Sequence, residues 1–395
     1  MPAPLLVRRL DTDIRLGRIA GIPVGINWSL LLIFALITWS LAAGVLPEEV
    51  SGQPGALYWT VGVLIALLFF ASIVGHELAH AILARRSGQQ VSEITLWLFG
   101  GVSKLGGDAG TPRIEATVAV VGPLTSLGIA IVVGLIGFGI DAAGGPALLV
   151  AGLYWLAAIN IALALFNLIP GFPLDGGRLL RALLWQLTGD RVRATSQAAA
   201  VGRFFGFVLA ALGVLEFFLS SNLIGGLWLV FLGWFLRSAA GAEESQVVAT
   251  ESLAGTRVAD LMSSNPVVLP GSMSVEQFLW TQPFQHRFTN FPITAPDESL
   301  IGLVSVRRIL QVREGERAGT LLSTIAEPMS RVATARPTDP VAEVLDHMGR
   351  EGQGRVLVLD LGRLVGILSP RDVAGAIPIL SARASSAGST SRPVT

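Results

Sequence analysis

A short motif in the first quarter of the chain combines residue types that can hold and use a metal ion. Residues 75–80 read Gly-His-Glu-Leu-Ala-His, which places His76 and His80 four positions apart with Glu77 between them. Because a helix turns once in about 3.6 residues, both imidazoles can reach one ion, and Glu77 can reach its bound water. Two neutral imidazoles, one carboxylate and an open position for water suit zinc. The motif therefore indicates metal-assisted hydrolysis with Glu77 as the proton carrier.

The motif leaves the third protein ligand open. A metzincin would place a glycine and a histidine where this sequence has Leu83 and Arg86, so that class is excluded. The other histidines, His286 and His347, lie in the C-terminal half, and the chain contains no cysteine. The third ligand is therefore expected to be a carboxylate close to the elements that carry the motif.

The composition predicts that these elements lie in a membrane. Mean hydropathy is +0.63, with 52% hydrophobic and only 14% charged residues, which does not fit an entirely soluble chain. Ionisable residues inside a membrane span cost several kcal/mol unless they are paired or bind a metal, so the motif in the second apolar segment calls for a function. Six segments are long enough to span a bilayer as helices: 24–45, 58–84, 114–139, 147–169, 199–219 and 223–240.

Basic residues fall in alternate connections between these segments. The connections at 46–57, 140–146 and 220–222 contain none, whereas the other connections and the stretch before the first segment are basic. Because cytoplasmic loops are enriched in Arg and Lys, both termini are expected on the cytoplasmic side of a cell membrane. The single lysine, Lys104, among many arginines is typical of a GC-rich genome, and we expect a bacterial protein.

Depth in the membrane favours Asp175 as the third ligand. Glu93 and Glu115 follow the motif but fall in or beside a predicted loop. The fourth segment runs inward and is broken by the Pro-Gly-Phe-Pro sequence at residues 170–173, just before Asp175. The histidine motif lies about one to two turns from the inner end of its own segment, marked by Arg85. The two sites are therefore expected at a similar depth on the cytoplasmic side.

A glycine-centred segment follows the histidine motif. Residues 91–105 first alternate apolar and polar side chains and then break at Gly100 and Gly101, which predicts a short β-hairpin. Strand-like backbone at membrane depth survives only where it is buried in protein or lines a wet cavity. The hairpin is either a surface element or a sheet edge that pairs with an extended peptide substrate, with Gly100 and Gly101 as contact residues.

Four motifs together resemble the site-2 protease family of intramembrane zinc metalloproteases. They are GHELAHAILARRSG, LWLFGGV, VGPLTSLGIA and FNLIPGFPLDGGR, and they follow the family's order across the whole membrane half. The resemblance implies an endopeptidase that cleaves transmembrane segments of membrane-protein substrates, for example to release a membrane-held regulator. It also implies that Asp175, in the family's N-x-x-P-x-x-P-L-D-G motif, is the third ligand of one zinc ion per chain.

Two further positions follow from the same resemblance. It implies that Asn167, the first residue of the aspartate motif, contacts the substrate or the developing oxyanion, although a cap or an interhelical hydrogen bond would serve this residue equally well. Ser126 stands where many relatives have asparagine, so the family's interhelical contacts at that position are not carried over. The catalytic residues themselves show no departure from the family pattern.

The segment after residue 240 contains two similar units with a strand–helix–strand–strand–helix pattern. Both resemble CBS repeats, which usually pair into one module. In that family a Ser or Thr followed three residues later by Asp contacts a nucleotide ribose, which implies adenine-nucleotide binding through Ser369 and Asp372. The first repeat has Ser305 but Arg308 in place of the aspartate. At most one competent nucleotide site is expected, and a pair that only packs or dimerises is the alternative.

These observations predict a polytopic α-helical membrane protein with about six transmembrane helices and a short membrane-associated β-hairpin, followed by a soluble α/β CBS-pair domain. A formal net charge of zero gives no indication of a nucleic-acid partner, and a homodimer through the CBS pair is compatible with the sequence. The expected boundaries are a membrane-embedded metalloprotease domain at 1–240, a linker at 241–256, CBS repeats at 257–312 and 321–380, and a disordered tail at 381–395.

Two other functions stay open as alternatives. A membrane transporter gated by a CBS pair would have related halves with helix breaks at corresponding positions, and residues 24–240 show no such internal repeat. A catalytically silent relative that only binds membrane proteins would not need an intact Glu77. The sequence therefore favours the protease.

Overall fold

The N-terminal part of the computed structural model is a bundle of long apolar helices. The structure describes residues 13–97, 100–106, 110–219, 223–281, 288–351 and 354–389, and its contacts divide the chain into two units, Met1–Ser245 and Gln246–Thr395. A π-helical turn, Leu41–Val45, joins the first two helices. The helices that begin in the first unit are α1 Ser29–Ser40, α2 Leu46–Glu49, α3 Gly55–Arg86, α4 Pro112–Ala142, α5 Ala147–Asn167, α6 Asp175–Thr188, α7 Arg191–Leu219 and α8 Leu223–Leu253.

Six helical segments among the described residues are long and apolar enough to cross a bilayer. They are Ser29–Glu49, Gly55–Arg86, Pro112–Ala142, Ala147–Asn167, Arg191–Leu219 and Leu223–Leu253. Large apolar side chains such as Leu31, Ile131 and Phe218 are exposed on them, as expected for helices that face lipid. The predicted helical membrane fold is confirmed, and the short helix α6 is an addition to it.

All six spans differ somewhat from the bounds predicted from the sequence, and three of them differ by at least five residues at one end. The first begins at Ser29 rather than at residue 24, because Ile22–Ile26 form a β-strand. The fifth begins at Arg191 rather than at residue 199, and α8 continues to Leu253 rather than ending at residue 240. Hydropathy marks only the part of a helix that lies in lipid, so the polar turns at both ends are missed. Most of the predicted linker 241–256 is consequently helical.

A four-stranded sheet lies against the end of α3 that carries the histidine motif. The strands β3 (Gln90–Trp97) and β4 (Gly100–Gly106) form the predicted antiparallel hairpin, and β2 (Ile22–Ile26) pairs with β3 in parallel. Ile22, Val24 and Ile94 of this sheet pack with Ala81 of α3. The hairpin is therefore half of a larger sheet, of which β4 is one edge. The strands are β1 Ile14–Ile19, β2 Ile22–Ile26, β3 Gln90–Trp97 and β4 Gly100–Gly106, in the order β1-β2-β3-β4.

Glycines let the last two spans, α7 and α8, approach each other closely. A Cβ on Gly206 would meet the carbonyl oxygen of Gly233, and a Cβ on Gly213 would meet that of Gly226. Small residues of this kind bring helix backbones together within a membrane. The short helix α6 packs against α7 and also against α4, so it is held between two spans.

The second unit consists of two repeats that each build most of one four-stranded sheet. The sheets have the orders β6-β7-β8-β9 and β10-β11-β12-β5, so each repeat adds one short edge strand to the sheet of the other. Separate apolar cores surround Phe291 and Val358. The α/β CBS-pair architecture is thereby confirmed. The elements are α9 Val258–Leu261, β5 Ser263–Ser264, β6 Leu269–Pro270, α10 Val275–Thr281, β7 Asn290–Thr294, β8 Leu300–Ser305, α11 Val306–Leu310, α12 Leu322–Ile325, β9 Glu327–Pro328, β10 Thr334–Ala335, α13 Val341–Glu351, β11 Val356–Asp360, β12 Arg363–Leu368 and α14 Pro370–Ser389.

The C-terminal helix α14 extends further than the sequence predicts. A disordered tail is expected from residue 381, whereas α14 continues to Ser389. Three alanines among residues 382–387 account for part of this difference, because alanine has the highest helix propensity of the common residues. Residues 390–395 lie outside the described part of the chain, as do the basic residues before residue 13.

Candidate metal centre

Three side chains from two helices bring their ligand atoms together. His76 and His80 lie on α3, and Asp175 is the first residue of α6. The Nε2 atoms of the two histidines are 3.1 Å apart, and each lies 3.2 Å from Oδ2 of Asp175. The histidine residues are only 4% and 8% exposed. The group is therefore buried among helices rather than displayed on a surface.

The geometry and the donor set of this group fit a tetrahedral zinc ion. With bonds of about 2.0–2.1 Å, tetrahedral ligand atoms lie about 3.3 Å from one another, close to the 3.1 and 3.2 Å observed. Nδ1 of His80 lies 2.7 Å from the carbonyl oxygen of Val118. Because a carbonyl oxygen can only accept, Nδ1 donates and Nε2 is left with a lone pair. A lone pair and a carboxylate then converge where a cation would stabilise both.

Helix α4 forms the wall behind the two histidines. A Cβ on Gly122 would overlap Nε2 of both His76 and His80, so only glycine leaves space for an ion here. The hydroxyl of Ser126 lies 3.0 Å from Nδ1 of His76, and Val118 holds the other ring. Contacts of this kind orient metal ligands and fix their tautomers. The glycine-proline motif of the third span was the only sequence signal for this wall.

Asp175 is positioned by close packing of the connection between α5 and α6. Gly176 and Gly177 follow it, and a Cβ on either would overlap the backbone of residues 168–172. In the same connection, Phe172 is 1% exposed and packs against α7. The Asp-Gly-Gly sequence thus allows the first turn of α6 to lie directly on the connection, which fixes the carboxylate of Asp175.

The hairpin passes over Glu77. A Cβ on Gly101 would overlap the side chain of Glu77, so β4 contacts this carboxylate directly. Gly100 pairs with Trp97 across the hairpin. Of the two glycines predicted to contact a substrate, Gly101 therefore lies next to Glu77 and has a packing role that the sequence did not indicate.

The two carboxylates that the sequence left as weaker ligand candidates do not belong to this group. Glu115 is 4% exposed and forms an ion pair with Arg181 of α6. Glu93 lies on β3 and lines a cavity together with Arg15 and Arg18. The structure therefore gives each of these carboxylates an environment of its own.

Asn167 ends α5 and hydrogen-bonds within its own helix. Its Nδ2 donates to the carbonyl oxygen of Leu163 at 3.0 Å. Among the described residues it makes no hydrogen bond to His76, His80 or Asp175. The side chain therefore has a local structural contact, whatever it does in the presence of a substrate.

A second candidate site lies in the second unit, in a cavity of about 220 Å³ that both repeats line. Ser369 donates to Oδ2 of Asp372 from its backbone nitrogen at 2.8 Å and from its hydroxyl at 2.6 Å. Ser263, from the first repeat, donates to the other carboxylate oxygen at 3.3 Å. The predicted pair Ser369 and Asp372 thus faces a cavity, and the first repeat contributes to it.

Arginine side chains give this cavity a positive component. Nη2 of Arg355 donates to Oγ1 of Thr289 at 2.8 Å, which joins the two repeats. Burial and the neighbouring Arg371 lower the pKa of Arg355, while Asp372 acts in the opposite direction. The ring of Phe288 also lines the cavity. Cationic, aromatic and hydroxyl groups together suit an aromatic ligand that carries phosphate.

The matching positions of the first repeat are engaged elsewhere. The hydroxyl of Ser305 accepts a hydrogen bond from the backbone nitrogen of Arg308 at 3.3 Å, which is a helix cap. The guanidinium of Arg308 contacts the carbonyl oxygen of Ile325 and the carboxylate of Glu327. These two residues do not line the cavity.

Both parts of the chain are similar to known protein families. The model of peptidase family M50 matches residues 64–143 and 144–213, and the CBS domain model matches 258–315 and 322–379. Rip3 of Mycobacterium tuberculosis is 44% identical over 367 residues, which cover 93% of each chain. Zinc metalloprotease MJ0392 of Methanocaldococcus jannaschii is 30% identical over 374 residues, 94% of this chain and 98% of the relative. The solved structure of a site-2 protease from the same organism is 30% identical, covers 58% of this chain and 94% of that one, and has a TM-score of 0.42.

The chain belongs to peptidase family M50, the site-2 protease family of zinc metalloproteases. The alignments cover almost the full length of this chain and of both relatives, so they include both the membrane half and the CBS pair of this chain. The resemblance inferred from the motifs is confirmed. The protein is a zinc metalloprotease with membrane helices, and the transporter interpretation is not supported.

Proposed function

We propose that this metalloprotease cleaves peptide bonds within the transmembrane segments of other membrane proteins. His76, His80 and Asp175 serve as zinc ligands, and Glu77 carries the proton. The proposal is supported most strongly by the convergence of three ligand atoms within 3.2 Å of one another. Two of them come from a helix long and apolar enough to span a bilayer. A bond cleaved there must itself reach membrane depth.

The reaction is the hydrolysis of an amide. When bound, zinc supplies a Lewis acid that acidifies a water molecule and polarises the scissile carbonyl group. Glu77 accepts a proton from the attacking water molecule while the oxygen of that water forms a bond to the carbonyl carbon. Glu77 then gives this proton to the leaving nitrogen as the carbon–nitrogen bond breaks. The products are a new carboxyl terminus and a new amino terminus.

The substrate peptide is expected to bind in an extended form. A helical segment hides its carbonyl groups from a nucleophile, so it must unwind around the scissile bond. An unwound segment can satisfy its backbone by adding to an open sheet edge. The strand β4 is such an edge, and its Gly101 lies beside Glu77. We expect the peptide to run along β4 with the scissile bond near Glu77.

Asn167 is the proposed donor to the substrate or to the oxyanion. Its Nδ2 carries two hydrogens, and the structure shows one hydrogen bond from it, to Leu163. The second hydrogen can be directed at a substrate carbonyl. Asn167→Ala should then lower kcat without loss of zinc, whereas an unchanged kcat would leave this residue with its contact to Leu163 alone.

Metal content and cleavage measured together test the proposed roles. Full-length protein purified in detergent should contain about one zinc ion per chain. Glu77→Gln should keep this zinc and lose cleavage of a co-expressed single-span substrate, and Asp175→Ala should lose both. Glu93→Ala is the control, because Glu93 lies outside the group, and it should lose neither. Normal turnover by Glu77→Gln, or full zinc occupancy in Asp175→Ala, would contradict the role assigned to that residue.

The CBS pair is proposed to bind an adenine nucleotide and thereby to regulate proteolysis. The support is the cavity beside Ser369 and Asp372, with Arg355 and Arg371 in its lining. Calorimetric titration of full-length protein with ATP, ADP and AMP should show binding that Asp372→Ala weakens. Arg308→Ala is the control, because Arg308 occupies the position in the first repeat that corresponds to Asp372 and does not line the cavity. This variant should bind nucleotide as the unmodified protein does. Absence of binding for all three nucleotides would contradict the proposed nucleotide site.

The homodimer predicted from the CBS pair is a separate proposal. Light scattering of the full-length protein in detergent tests it.

The chain is a multi-pass membrane protein, and the proposed orientation puts both termini in the bacterial cytoplasm. The support is the alternation of basic and non-basic connections. Reporter fusions at residues 52 and 143 should report the outer side, and a fusion at residue 190 the cytoplasm. A fourth fusion at residue 108, which lies outside the described residues, should also report the cytoplasm. Any exchange among these results would contradict the orientation.

A further inference from the structure

A buried ion pair joins the helix that begins with Asp175 to a neighbouring span. Arg181 of α6 is 6% exposed, and Glu115 in the first turn of α4 is 4% exposed. The guanidinium of Arg181 forms both a hydrogen bond and an ion pair with Oε1 of Glu115. Its planar fork also lies over the ring of Phe172, 4.9 Å from the centroid. Arg181 therefore fixes α6 against α4 and against the connection that precedes Asp175.

The same arginine contacts α8. Nη1 of Arg181 lies 3.6 Å from Oε1 of Glu243. This Nη1 atom is fully buried and has no hydrogen-bond partner in the described part of the chain, and neither does Oε2 of Glu115. Burying a charge is costly unless its hydrogen bonds are satisfied. The carboxylate of Glu115 already balances the charge of Arg181, so Glu243 adds a second, longer ion pair at the Nη1 atom that makes no hydrogen bond in the described part of the chain.

The position of Glu243 is informative because α8 is the helix by which the chain leaves the first unit. The unit boundary follows Ser245, and α8 continues without a break to Leu253. Two adjacent carboxylates just before this boundary make ion pairs: Glu243 with Arg181, and Glu244 with Arg203 of α7. The two ion pairs therefore lie at the end of the first unit, within two residues of Ser245.

The effect on the metal site follows from the geometry of α6. This helix has 14 residues, and Asp175 is its first. Arg181 is six residues further along, or about 9 Å at 1.5 Å per residue. A short, straight helix moves as one body, so a shift at Arg181 also displaces the carboxylate of Asp175. The tight backbone contacts of Gly176 and Gly177 oppose this displacement at the near end of α6, so we expect it to be small.

We propose that Arg181 is a positioning residue for Asp175, and that its contact with Glu243 makes the metal site sensitive to the position of α8. The inference rests on the proposed role of Asp175 as a zinc ligand. It assigns Glu243 and Glu244, two adjacent carboxylates of α8, different roles. Glu243 acts through Arg181 on the helix that carries a ligand, whereas Glu244 ties α8 to α7, which carries none.

The matched variants Glu243→Gln and Glu244→Gln test this difference. Each replaces one carboxylate on α8 by an amide of the same shape and leaves the buried pair of Arg181 with Glu115 in place. Zinc affinity is measured on full-length protein in detergent by competition with a chelator. We expect Glu243→Gln to bind zinc about three- to tenfold more weakly, which is at or below the 10- to 100-fold effect typical of a lost outer contact because Glu243 acts only through Arg181, and Glu244→Gln to bind it normally. Equal affinities in the two variants would overturn the proposal.

A spectroscopic measurement separates positioning from general stability. Cobalt(II) in place of zinc gives visible absorption that reports the ligand geometry. Glu243→Gln should change this spectrum, whereas Glu244→Gln should leave it as in the unmodified protein. A change shared by both variants, or by neither, would show that Glu243 has no special link to the metal site.

Variants of Arg181 itself give a second test. Arg181→Lys retains the charge but loses the planar fork, so its zinc affinity should lie between those of the unmodified protein and Arg181→Gln. Equal losses in the two variants would contradict the role of the charge. If Arg181→Gln does not fold, the comparison of Glu243→Gln with Glu244→Gln decides alone.

Asp175→Ala in the same competition assay separates the two levels of the argument. Retained zinc in that variant would contradict the proposed ligand role. Loss of zinc there, with equal affinities in the two α8 variants, would contradict only the inference on Arg181.

Discussion

The metal centre and the cavity of the CBS pair show how differently two sites can be built in one chain. The metal centre uses side chains from helices far apart in sequence, and its histidines are nearly inaccessible. The cavity is formed by short strands and helix starts, and both repeats contribute exposed residues such as Thr289 and Arg371. A catalytic group needs fixed distances, which packed helices provide. The proposed nucleotide site would have to change on binding in order to regulate, which an open junction between repeats allows.

The two sites also differ in how far their charged groups are already paired within the protein. In the metal centre, a carboxylate and a histidine lone pair converge within 3.2 Å, so the site is incomplete without a cation. In the cavity, Asp372 already accepts hydrogen bonds from Ser369 and Ser263. The arrangement there is satisfied before any ligand binds. We therefore expect small changes to be severe at the metal centre and mild at the cavity.

The largest effect is expected from Gly122→Ala. The added methyl group would overlap Nε2 of both His76 and His80, so it would fill the space through which both nitrogen atoms would reach a cation. Zinc content, measured by metal analysis of purified protein, and cleavage of a single-span substrate should both fall to background. Gly128→Ala on the same helix is the matched control, because a Cβ there has no neighbour within 4 Å. Normal zinc content in Gly122→Ala would show that the ion lies elsewhere.

A somewhat smaller effect is expected from Gly101→Ala. Its methyl group would overlap the side chain of Glu77 but none of the three ligand atoms. A displacement of a reacting group by about 1 Å can lower a rate roughly a hundredfold. We therefore expect kcat to fall on this scale while zinc content stays normal. A parallel loss of zinc would indicate instead that the hairpin supports the ligands.

Parts of the metal centre could be predicted because their signals are local. The spacing of His76 and His80 on one helical face follows from the period of the helix. The length of an apolar segment predicts a membrane span. The proline-containing break at residues 170–173 predicts that the fourth span ends just before Asp175. Each of these inferences uses residues that lie close together in sequence.

The remaining features could not be predicted because they depend on distant contacts. Val24 and Ile94 pair as neighbouring strand residues although one precedes and the other follows the long helix α3 in sequence. The sequence therefore predicted only the hairpin of β3 and β4. The roles of Gly122 and Ser126 depend on how α4 packs against α3. Hydropathy also could not show that α8 continues from residue 240 to Leu253, because many of these residues are polar and a helix in water need not be apolar.

A moderate effect on the metal centre is expected from Ser126→Ala. The change removes the hydroxyl 3.0 Å from Nδ1 of His76 and leaves every proposed ligand in place. Loss of such an outer contact typically lowers metal affinity 10- to 100-fold, and we expect about tenfold. Competition with a chelator measures this, and Thr125→Val is the control, because the hydroxyl of Thr125 donates to the carbonyl oxygen of Val121 in its own helix. An affinity unchanged by Ser126→Ala would mean that packing alone holds the ring of His76.

The smallest effect is expected from Thr289→Val in the cavity. This change removes the hydroxyl that accepts the hydrogen bond from Nη2 of Arg355 across the two repeats. Both residues are partly open to water, so the bond should contribute at most about 1 kcal/mol, which corresponds to roughly fivefold in an equilibrium constant. Nucleotide affinity in calorimetry should change by no more than this factor, in either direction, because a released guanidinium can still reach a phosphate. Zinc content and the cleavage rate without nucleotide should not change. A loss of cleavage in Thr289→Val would show that the cavity is as rigidly tied to catalysis as the metal centre is, and would break the contrast between the two sites.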